Sequence, residues 1–182
     1  MIFCEGEASE PDYINAVKRL PQVQLNTAVN IEIDPGQGVP LTLVERAVAR
    51  QLDDDEVDEC WCVFDVEWPR HHPNLDRALQ LANTNGIHLA VSNPCFELWL
   101  ILHFQNQTAF LHNRAAEKVS RSLDGRPNKR LDAAKYMPHR QAAARRAASL
   151  VTRHQRDQTP FPDDNPSSTM HELLRAVDPE SR

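Results

Sequence analysis

The sequence lacks several features that would assign it directly to a functional class. Its 26 aspartate and glutamate residues outnumber 20 lysine and arginine residues, so the net charge of −6 provides no overall positive field for nucleic acid. Its longest apolar stretch, residues 95–104, is too short and too interrupted to cross a bilayer. No basic segment or cleavage motif precedes the first apolar residues. These absences predict a cytoplasmic protein without a membrane segment.

Cysteine and glycine are also scarce. The four cysteines form neither a CxxC pair nor a disulfide framework. We therefore interpret Cys4, Cys60, Cys62 and Cys95 as buried thiols, with a zinc site as the less favoured alternative. Gly36 and Gly38 are not followed by a Lys-Ser or Lys-Thr pair, which excludes a phosphate-binding loop of that type.

The most informative stretch is residues 60–73, which read CWCVFDVEWPRHHP. The apolar run at its start predicts a strand buried on both faces, as in a parallel sheet. Asp65 and Glu67 follow this run, and their i, i+2 spacing places both carboxylates on one face if the backbone stays extended. Two adjacent carboxylates at the end of a strand favour a bound Mg²⁺ or Mn²⁺. The alternative interpretation is an ordinary pair of solvated loop carboxylates.

Alternating strand-like and helix-like segments predict an α/β fold with a mostly parallel central sheet of about four strands, flanked by helices. The predicted strands span residues 1–4, 23–33, 60–64 and 87–91. The predicted helices span residues 9–20, 43–52, 74–85, 95–104, 113–123, 131–136, 139–154 and 169–176. We expect a single domain over residues 1–182, in which a helical extension at 105–182 packs on a sheet core at 1–104.

Polar residues follow three of the predicted strands. Glu5 follows the first strand, Asp65 and Glu67 follow the third, and Asn93 follows the fourth. Right-handed crossovers bring the carboxyl ends of parallel strands to one edge of a sheet, so we expect these side chains to share that edge. Gly6, next to Glu5, permits a tight turn or the close approach of a ligand to the backbone.

Five further residues near this edge are weaker candidates for orienting metal ligands or contacting substrate. Glu97 opens an apolar helix, and it either offsets the helix dipole or faces the strand ends. Glu7 is open to the same two interpretations. His71 and His72 lie just beyond the carboxylate pair and are candidates for binding phosphate or moving a proton, although loop histidines usually have no such role. His103 lies within the same apolar helix as Glu97.

Charge is unevenly distributed along the chain. The first half carries most of the acidic residues, whereas basic residues outnumber acidic ones between residues 114 and 156. Arg140, Arg145 and Arg146 lie on the predicted helix at 139–154 and are candidates for contacts with a nucleic-acid backbone. The alternative interpretation is a solvated helix face.

Four stretches of the chain together resemble the RloB family. They read CEGEASEPDYI, VFDVEW, SNPCFELWLILHF and NPSSTMHELL. Members of that family are similar to the TOPRIM fold of topoisomerases, primases and OLD-type nucleases, which carries a glutamate after its first strand and an Asp-x-Asp motif after a later one. Glu5 matches the first position and Asp65 matches the second. Glu67 departs from the motif, since its side chain is one methylene longer than the usual aspartate.

The resemblance implies a TOPRIM-like, Rossmann-like sheet and a metal-dependent nuclease that serves bacterial anti-phage defence or abortive infection. It implies that Glu5, Asp65 and Glu67 hold Mg²⁺ or Mn²⁺ and carry out the chemistry. The implied substrate is DNA or RNA, and the implied partner is an ABC-type ATPase.

Two other functions remain open at this point. The first is a non-catalytic module that docks on the ATPase partner. The second is a nucleotide-binding or nucleotidyl-transferring enzyme, which the lack of a glycine-rich phosphate loop disfavours. The sequence does not distinguish DNA from RNA, and it leaves the formation of a homo-oligomer open.

Overall fold

The computed structural model describes residues 1–33, 39–128 and 130–181. Its strands are β1 (Ile2–Cys4), β2 (Ile31–Ile33), β3 (Trp61–Asp65), β4 (His88–Asn93) and β5 (Ser167–Ser168). They form one sheet in the order β2-β1-β3-β4-β5, in which the first four strands are parallel and β5 runs antiparallel to β4. The predicted α/β fold with a mostly parallel sheet is therefore confirmed, and the C-terminal part adds a short fifth strand.

Helices connect and cover the strands. They are α1 (Ser9–Lys18), α2 (Pro21–Asn26), α3 (Pro40–Asp53), α4 (Leu75–Asn85), α5 (Glu97–Phe104), α6 (Asn113–Asp124), α7 (Arg140–Arg156) and α8 (Met170–Val177). The short helical piece predicted at 131–136 is confirmed only as a 3₁₀ turn, Ala133–Lys135, and a second 3₁₀ turn, Met137–His139, follows it. Pro138 in the second turn lacks the N–H that a continuous α-helix requires. Within the described ranges, no helix has both the length and the apolar character needed to span a bilayer.

Two hydrophobic cores cover the two faces of the sheet. Ile2 and Val63 belong to one core, whereas Phe3 and Cys62 belong to the other, because successive side chains of a strand point to opposite faces. Helices α1, α5, α7 and α8 contribute to the first core, and α3 and α4 contribute to the second. Strand β3 is buried on both faces as predicted, and all four cysteines are buried thiols.

The predicted strand at 23–33 is wrong over most of its length. The structure forms a helix over Pro21–Asn26, and only Ile31–Ile33 is a strand. Pro21 occupies the first turn of that helix, where its fixed φ is favourable and its missing N–H is not needed. The same proline that ends one helix therefore begins the next. The loop predicted at residues 35–38 lies outside the described residues.

The strand order reverses beside β1. From β1 the chain continues to β2 on one side of it, and then crosses to β3 on the other side. In open α/β sheets, such a reversal leaves a crevice at the carboxyl ends of the two strands, and ligands bind there. Glu5 directly follows β1 and Asp65 ends β3, so both carboxylates lie at this crevice.

Candidate active site

Glu5 and Asp65 are in direct contact across the ends of β1 and β3. The backbone N–H of Asp65 donates a hydrogen bond of 3.2 Å to Oε2 of Glu5. The other carboxylate oxygen of Glu5, Oε1, lies 2.9 Å from Nε2 of His72. The backbone N–H of Glu5 donates to the carbonyl oxygen of Val63 at 3.0 Å, which extends the pairing of the two strands. The structure thus places the predicted residues Glu5 and Asp65 together, with His72 beside them.

Glu67 lies at the same edge of the sheet as Asp65, but its backbone conformation is not the extended one that was predicted. Its φ of 66° lies in the left-handed region, so the backbone is not extended there and the predicted same-face argument is wrong. The N–H of Glu67 donates to the carbonyl oxygen of Pro94 at 3.0 Å, which fixes the turn against the segment after β4. The side-chain amide of Asn113, at the start of α6, donates to Oε2 of Glu67. Contacts from two other segments therefore position this carboxylate.

Asp65 and Glu67 line an acidic cavity of about 110 Å³. Four more carboxylates also line this acidic cavity, namely those of Glu7, Glu10, Glu97 and Glu117. The predicted residues Glu7 and Glu97 therefore lie at the same cavity as Asp65. Glu5 contacts Asp65, which lines the cavity.

Glu10 is a cavity residue that the sequence analysis missed. An added Cβ atom at Gly6 would lie only 2.1 Å from Oε2 of Glu10, so the lack of a side chain at Gly6 makes room for this carboxylate. Glu10 lies in the first turn of α1 and is 8% exposed. The sequence did contain a signal for this residue, namely a glutamate in the first turn of the helix that follows the strand–Glu–Gly motif. The first turn of such a helix lies beside the end of the strand.

Two carboxyl groups of the cavity, Asp65 and Glu67, have raised pKa values. Burial raises the pKa of Asp65 well above its usual value, and the negative charges of Glu10, Glu5, Glu97 and Glu67 raise it further. Burial likewise raises the pKa of Glu67. A bound proton or cation relieves such repulsion, so the cavity favours a positively charged ligand.

His72 is the side-chain partner of Glu5, next to the end of β3. Its contact with Glu5 raises the pKa of His72, and this effect exceeds the lowering that burial causes. The imidazole therefore carries a proton over a wider pH range than an exposed histidine does. The neighbouring His71 contacts the ring of Trp68 instead, with ring centroids 5.2 Å apart.

The donor chemistry of the cavity fits a hard divalent cation. Asp65, Glu67, Glu97 and Glu10 present only carboxylate oxygens, which are the ligands that Mg²⁺ and Mn²⁺ prefer. Among the described residues, no three histidine, cysteine, aspartate or glutamate side chains already form a group that holds a metal ion. The carboxylates surround the cavity, so they would have to close around a cation to bind it.

We expect the free energy of unfolding of wild type, measured relative to that of Asp65→Asn, to decrease as the pH rises from about 5 to about 8 when EDTA removes divalent cations. The folded-state pKa values of Asp65 and Glu67 are raised, so their stabilising contribution is complete below their unfolded values and is lost as the pH rises through the raised values. His72, His103 and His171 also have shifted pKa values, but they are present in both proteins, so their contributions cancel in this comparison. Urea unfolding across this range measures the effect. Equal pH dependence in wild type and in Asp65→Asn would contradict the expectation.

The structure places His103 in the hydrophobic core. It is 1% exposed, its Nε2 lies 3.1 Å from the hydroxyl oxygen of Tyr13, and its Nδ1 lies 2.9 Å from the carbonyl oxygen of Trp99. Burial lowers the pKa of His103 to about 3. The prediction that His103 contacts substrate or orients ligands is corrected, because its ring packs in the core.

Asn93 ends β4 but does not face the carboxylates. Its side-chain amide donates to the carbonyl oxygen of Pro162 at 2.8 Å and to Oδ1 of Asp164 at 2.9 Å. These bonds anchor the segment before β5 to the end of β4. The predicted role of Asn93 in orienting metal ligands is therefore replaced by a role in holding this segment.

Two of the three predicted backbone-contacting arginines have protein partners. Arg140 forms ion pairs of 2.6 Å with both Asp178 and Glu180. Arg146 donates from Nη1 to two carbonyl oxygens at the end of α5, at 2.6 and 3.0 Å. Arg145 is exposed. Of the three, Arg145 is therefore the one whose guanidinium is most accessible to a phosphate.

Arg126 is a buried cation in contact with Glu97, and the sequence analysis did not identify it. Its Nη2 is 3.6 Å from Oε1 of Glu97, and its Nη1 donates to Asp124 at 2.7 Å and to Ser120 at 2.8 Å. The hydroxyl of Tyr136 also donates to Asp124. Arg126 is 8% exposed. Its sequence context, Asp-Gly-Arg-Pro, indicates only a helix break, so nothing in the sequence identifies this network.

Comparison with known proteins identifies the family. A family model described as RloB-like protein matches residues 1–177. No curated protein and no solved structure matches the chain. The matched region includes Glu5, Asp65, Glu67 and Glu97, and it extends over nearly the whole sequence. The chain therefore belongs to the RloB-like protein family.

Proposed function

We propose that this protein is a divalent-cation-dependent nuclease that hydrolyses phosphodiester bonds of DNA or RNA as the effector of a bacterial anti-phage defence system. The observation that carries this proposal is the acidic cavity at the strand ends, where surrounding carboxylates raise the pKa of Asp65. Support also comes from the placement of Glu5 after β1 and Asp65 at the end of β3, as in the TOPRIM fold. The defence role rests on the resemblance of RloB proteins to TOPRIM effectors.

In the proposed enzyme, Asp65 and Glu67 would hold Mg²⁺ or Mn²⁺, and Glu97 and Glu10 line the same cavity. When bound, the cation supplies positive charge that polarises a phosphodiester and stabilises the leaving oxygen. Asn113 orients Glu67 through the hydrogen bond that its amide donates. This arrangement explains how an acidic chain can act on a polyanion, since a bound cation reverses the local charge.

Glu5 is the general base of the proposed enzyme. The backbone N–H of Asp65 orients one carboxylate oxygen, and the other lies 2.9 Å from Nε2 of His72. In the proposed reaction Glu5 accepts a proton from the attacking water, whose oxygen forms the new bond to phosphorus. As the phosphorus–oxygen bond to the leaving group breaks, the leaving oxygen takes a proton from solvent, while His72 keeps Glu5 oriented through their 2.9 Å contact.

A second candidate function is a non-catalytic module that docks on an ABC-type ATPase. The specific observation in its favour is that both carboxylate oxygens of Glu5 already have protein partners, Asp65 and His72. In this alternative the contact between Glu5 and Asp65 only stabilises the fold. The acidic cavity is then a regulatory cation site or the remnant of a former active site. The two functions differ in what they require of the Glu5 carboxylate.

Cleavage of plasmid DNA and of single-stranded RNA by the purified chain, with Mg²⁺ or Mn²⁺ and with EDTA, tests the proposal. We expect cation-dependent cleavage that falls about 10²-fold or more in Glu5→Gln, because the general base is lost. The matched control is Glu56→Gln, which removes an exposed carboxylate that lines a cavity at the opposite end of the strands. Unchanged cleavage in Glu5→Gln would exclude Glu5 as the base. Absence of cleavage in wild type would favour the docking module.

A further inference from the structure

Four aromatic rings lie beside the acidic cavity. We call Trp68, His71, Phe110 and His112 the aromatic platform. The ring centroid of Trp68 lies 5.2 Å from that of Phe110 and 5.2 Å from that of His71. The rings of Phe110 and His112 are 5.3 Å apart and nearly perpendicular, at 83°. These separations are typical of favourable aromatic pairs, so the four rings form a continuous cluster.

The platform is accessible and held in place. Phe110 is 49% exposed and His112 is also exposed. The next residue after Phe110 is fixed on both sides, because Asn165 accepts a hydrogen bond from the N–H of Leu111 at 3.0 Å and donates to its carbonyl oxygen at 2.8 Å. The fold therefore keeps an aromatic side chain at the surface in a fixed segment. A contiguous group of exposed rings, unlike a single surface hydrophobic residue, is typical of a binding surface.

The platform is tied directly to the acidic cavity. Trp68 follows Glu67 in the chain, and its backbone N–H donates to Oδ1 of Asn113 at 3.0 Å. The amide of the same asparagine donates to the carboxylate of Glu67. One side chain thus sets the position of the rings relative to the carboxylates. A ligand with one group stacked on the platform would therefore place its neighbouring group at the cavity.

The surroundings of the platform suit a polyanion with flat apolar groups. Arg70 and Arg114 are exposed and lie in the two segments that carry the rings. Exposed guanidinium groups are suited to contacts with phosphates, whereas aromatic faces stack on nucleobases with little preference for base identity. Bases within a duplex are already stacked and paired, so only an unpaired base can lie on such a surface.

We propose that the aromatic platform stacks an unpaired nucleobase next to the phosphodiester that enters the acidic cavity, so that the substrate is single-stranded nucleic acid. This inference rests on the proposed nuclease function, because the cavity defines where the phosphate lies. DNA and RNA share the chemistry of stacking and of the phosphate, and the platform accepts either.

Fluorescence anisotropy of labelled oligo(dT), oligo(U) and a duplex of equal length tests this inference. The full chain is titrated at low ionic strength with Ca²⁺, which offers the acidic cavity a cation while Mg²⁺ and Mn²⁺, the proposed catalytic ions, are absent. We expect the single strands to bind more tightly than the duplex, and Phe110→Ala to weaken their binding about tenfold through the loss of one stacked base. The matched control is Leu52→Ala, which removes a side chain that is 77% exposed and lies on α3.

A second measurement does not depend on a variant. Trp61 and Trp99 are 6% and 0% exposed, so quenching of tryptophan fluorescence by oligo(dT) reports mainly on Trp68. Saturable quenching by the single strand supports stacking. Absence of quenching, equal binding by Phe110→Ala and Leu52→Ala, or equal affinity for single strand and duplex would each overturn the inference. Single-strand binding that depends on Phe110 without cleavage in Mg²⁺ or Mn²⁺ would instead overturn the proposed nuclease and leave the platform intact.

Discussion

Replacing Asp65 with asparagine should reduce the cleavage rate about 10³-fold or more. The variant removes the carboxylate that four neighbouring glutamates surround, and with it the negative charge that would hold the cation. Asparagine retains the size of the side chain and the backbone N–H that donates to Glu5. The loss of activity would therefore reflect the missing charge and not a missing contact. Initial cleavage rates at saturating Mg²⁺ measure the effect.

The same variant should be more stable than wild type in EDTA at neutral pH. Removing one of several mutually repelling carboxylates lowers the electrostatic cost of folding, and the raised pKa of Asp65 shows that this cost is present. Asp58→Asn, which changes an exposed carboxylate in the loop before β3, is the control and should alter neither property. A variant that is less stable in EDTA and also inactive would indicate that Asp65 is a structural residue, and it would contradict the proposed role.

Replacing Arg126 with methionine should destabilise the protein by about 3–5 kcal/mol. Arg126 is the ion-pair partner of Asp124, at 2.7 Å, and the side chains of both residues are almost fully buried. Without the guanidinium, a buried carboxylate keeps only the hydrogen bond from Tyr136 and its backbone partners. Urea unfolding at neutral pH measures the loss.

Two further variants separate the charge effect from the loss of packing. Asp124→Asn in the Arg126→Met background should recover part of the stability, because the unpaired buried charge is then gone. Arg121→Met is the control, since its ion pair with Glu117 is 3.6 Å long and both side chains are about 40% exposed. That control should change stability by about 0–1 kcal/mol. An equal effect of Arg126→Met and Arg121→Met would show that the buried network contributes little.

The sequence was sufficient to predict the parts of the site that depend on strand order. Glu5 and Asp65 follow apolar strands, and parallel strands bring their carboxyl ends together, so the contact between the two residues follows from the pattern. The predicted extended backbone at Glu67 was wrong. Its left-handed conformation has no local signal in the sequence, because the residue is not a glycine. That conformation depends on Pro94, a residue that follows β4.

The residues that sequence reasoning missed owe their positions to tertiary contacts. Glu10 lies at the cavity because Gly6 leaves room for it. Arg126 approaches Glu97 because the turn after α6 packs behind α5. The helix over Pro21–Asn26 was missed for a local reason, since a proline both ends a helix and begins one, and the two roles have the same signature. The direction of the His103 side chain could not be predicted from the sequence. Its helix is apolar on all sides, so the pattern does not indicate which side chains face the site and which face the core.

A titration with Mn²⁺, followed by the EPR signal of the free ion, tests most directly whether the acidic cavity holds a divalent cation. Wild type, Asp65→Asn and Glu56→Gln are compared, with circular dichroism to confirm that each variant is folded. We expect saturable binding in wild type and in Glu56→Gln, and weakening by at least about tenfold in Asp65→Asn. Equal binding by wild type and Asp65→Asn, or no saturable binding in wild type, would contradict a cation site at the strand ends.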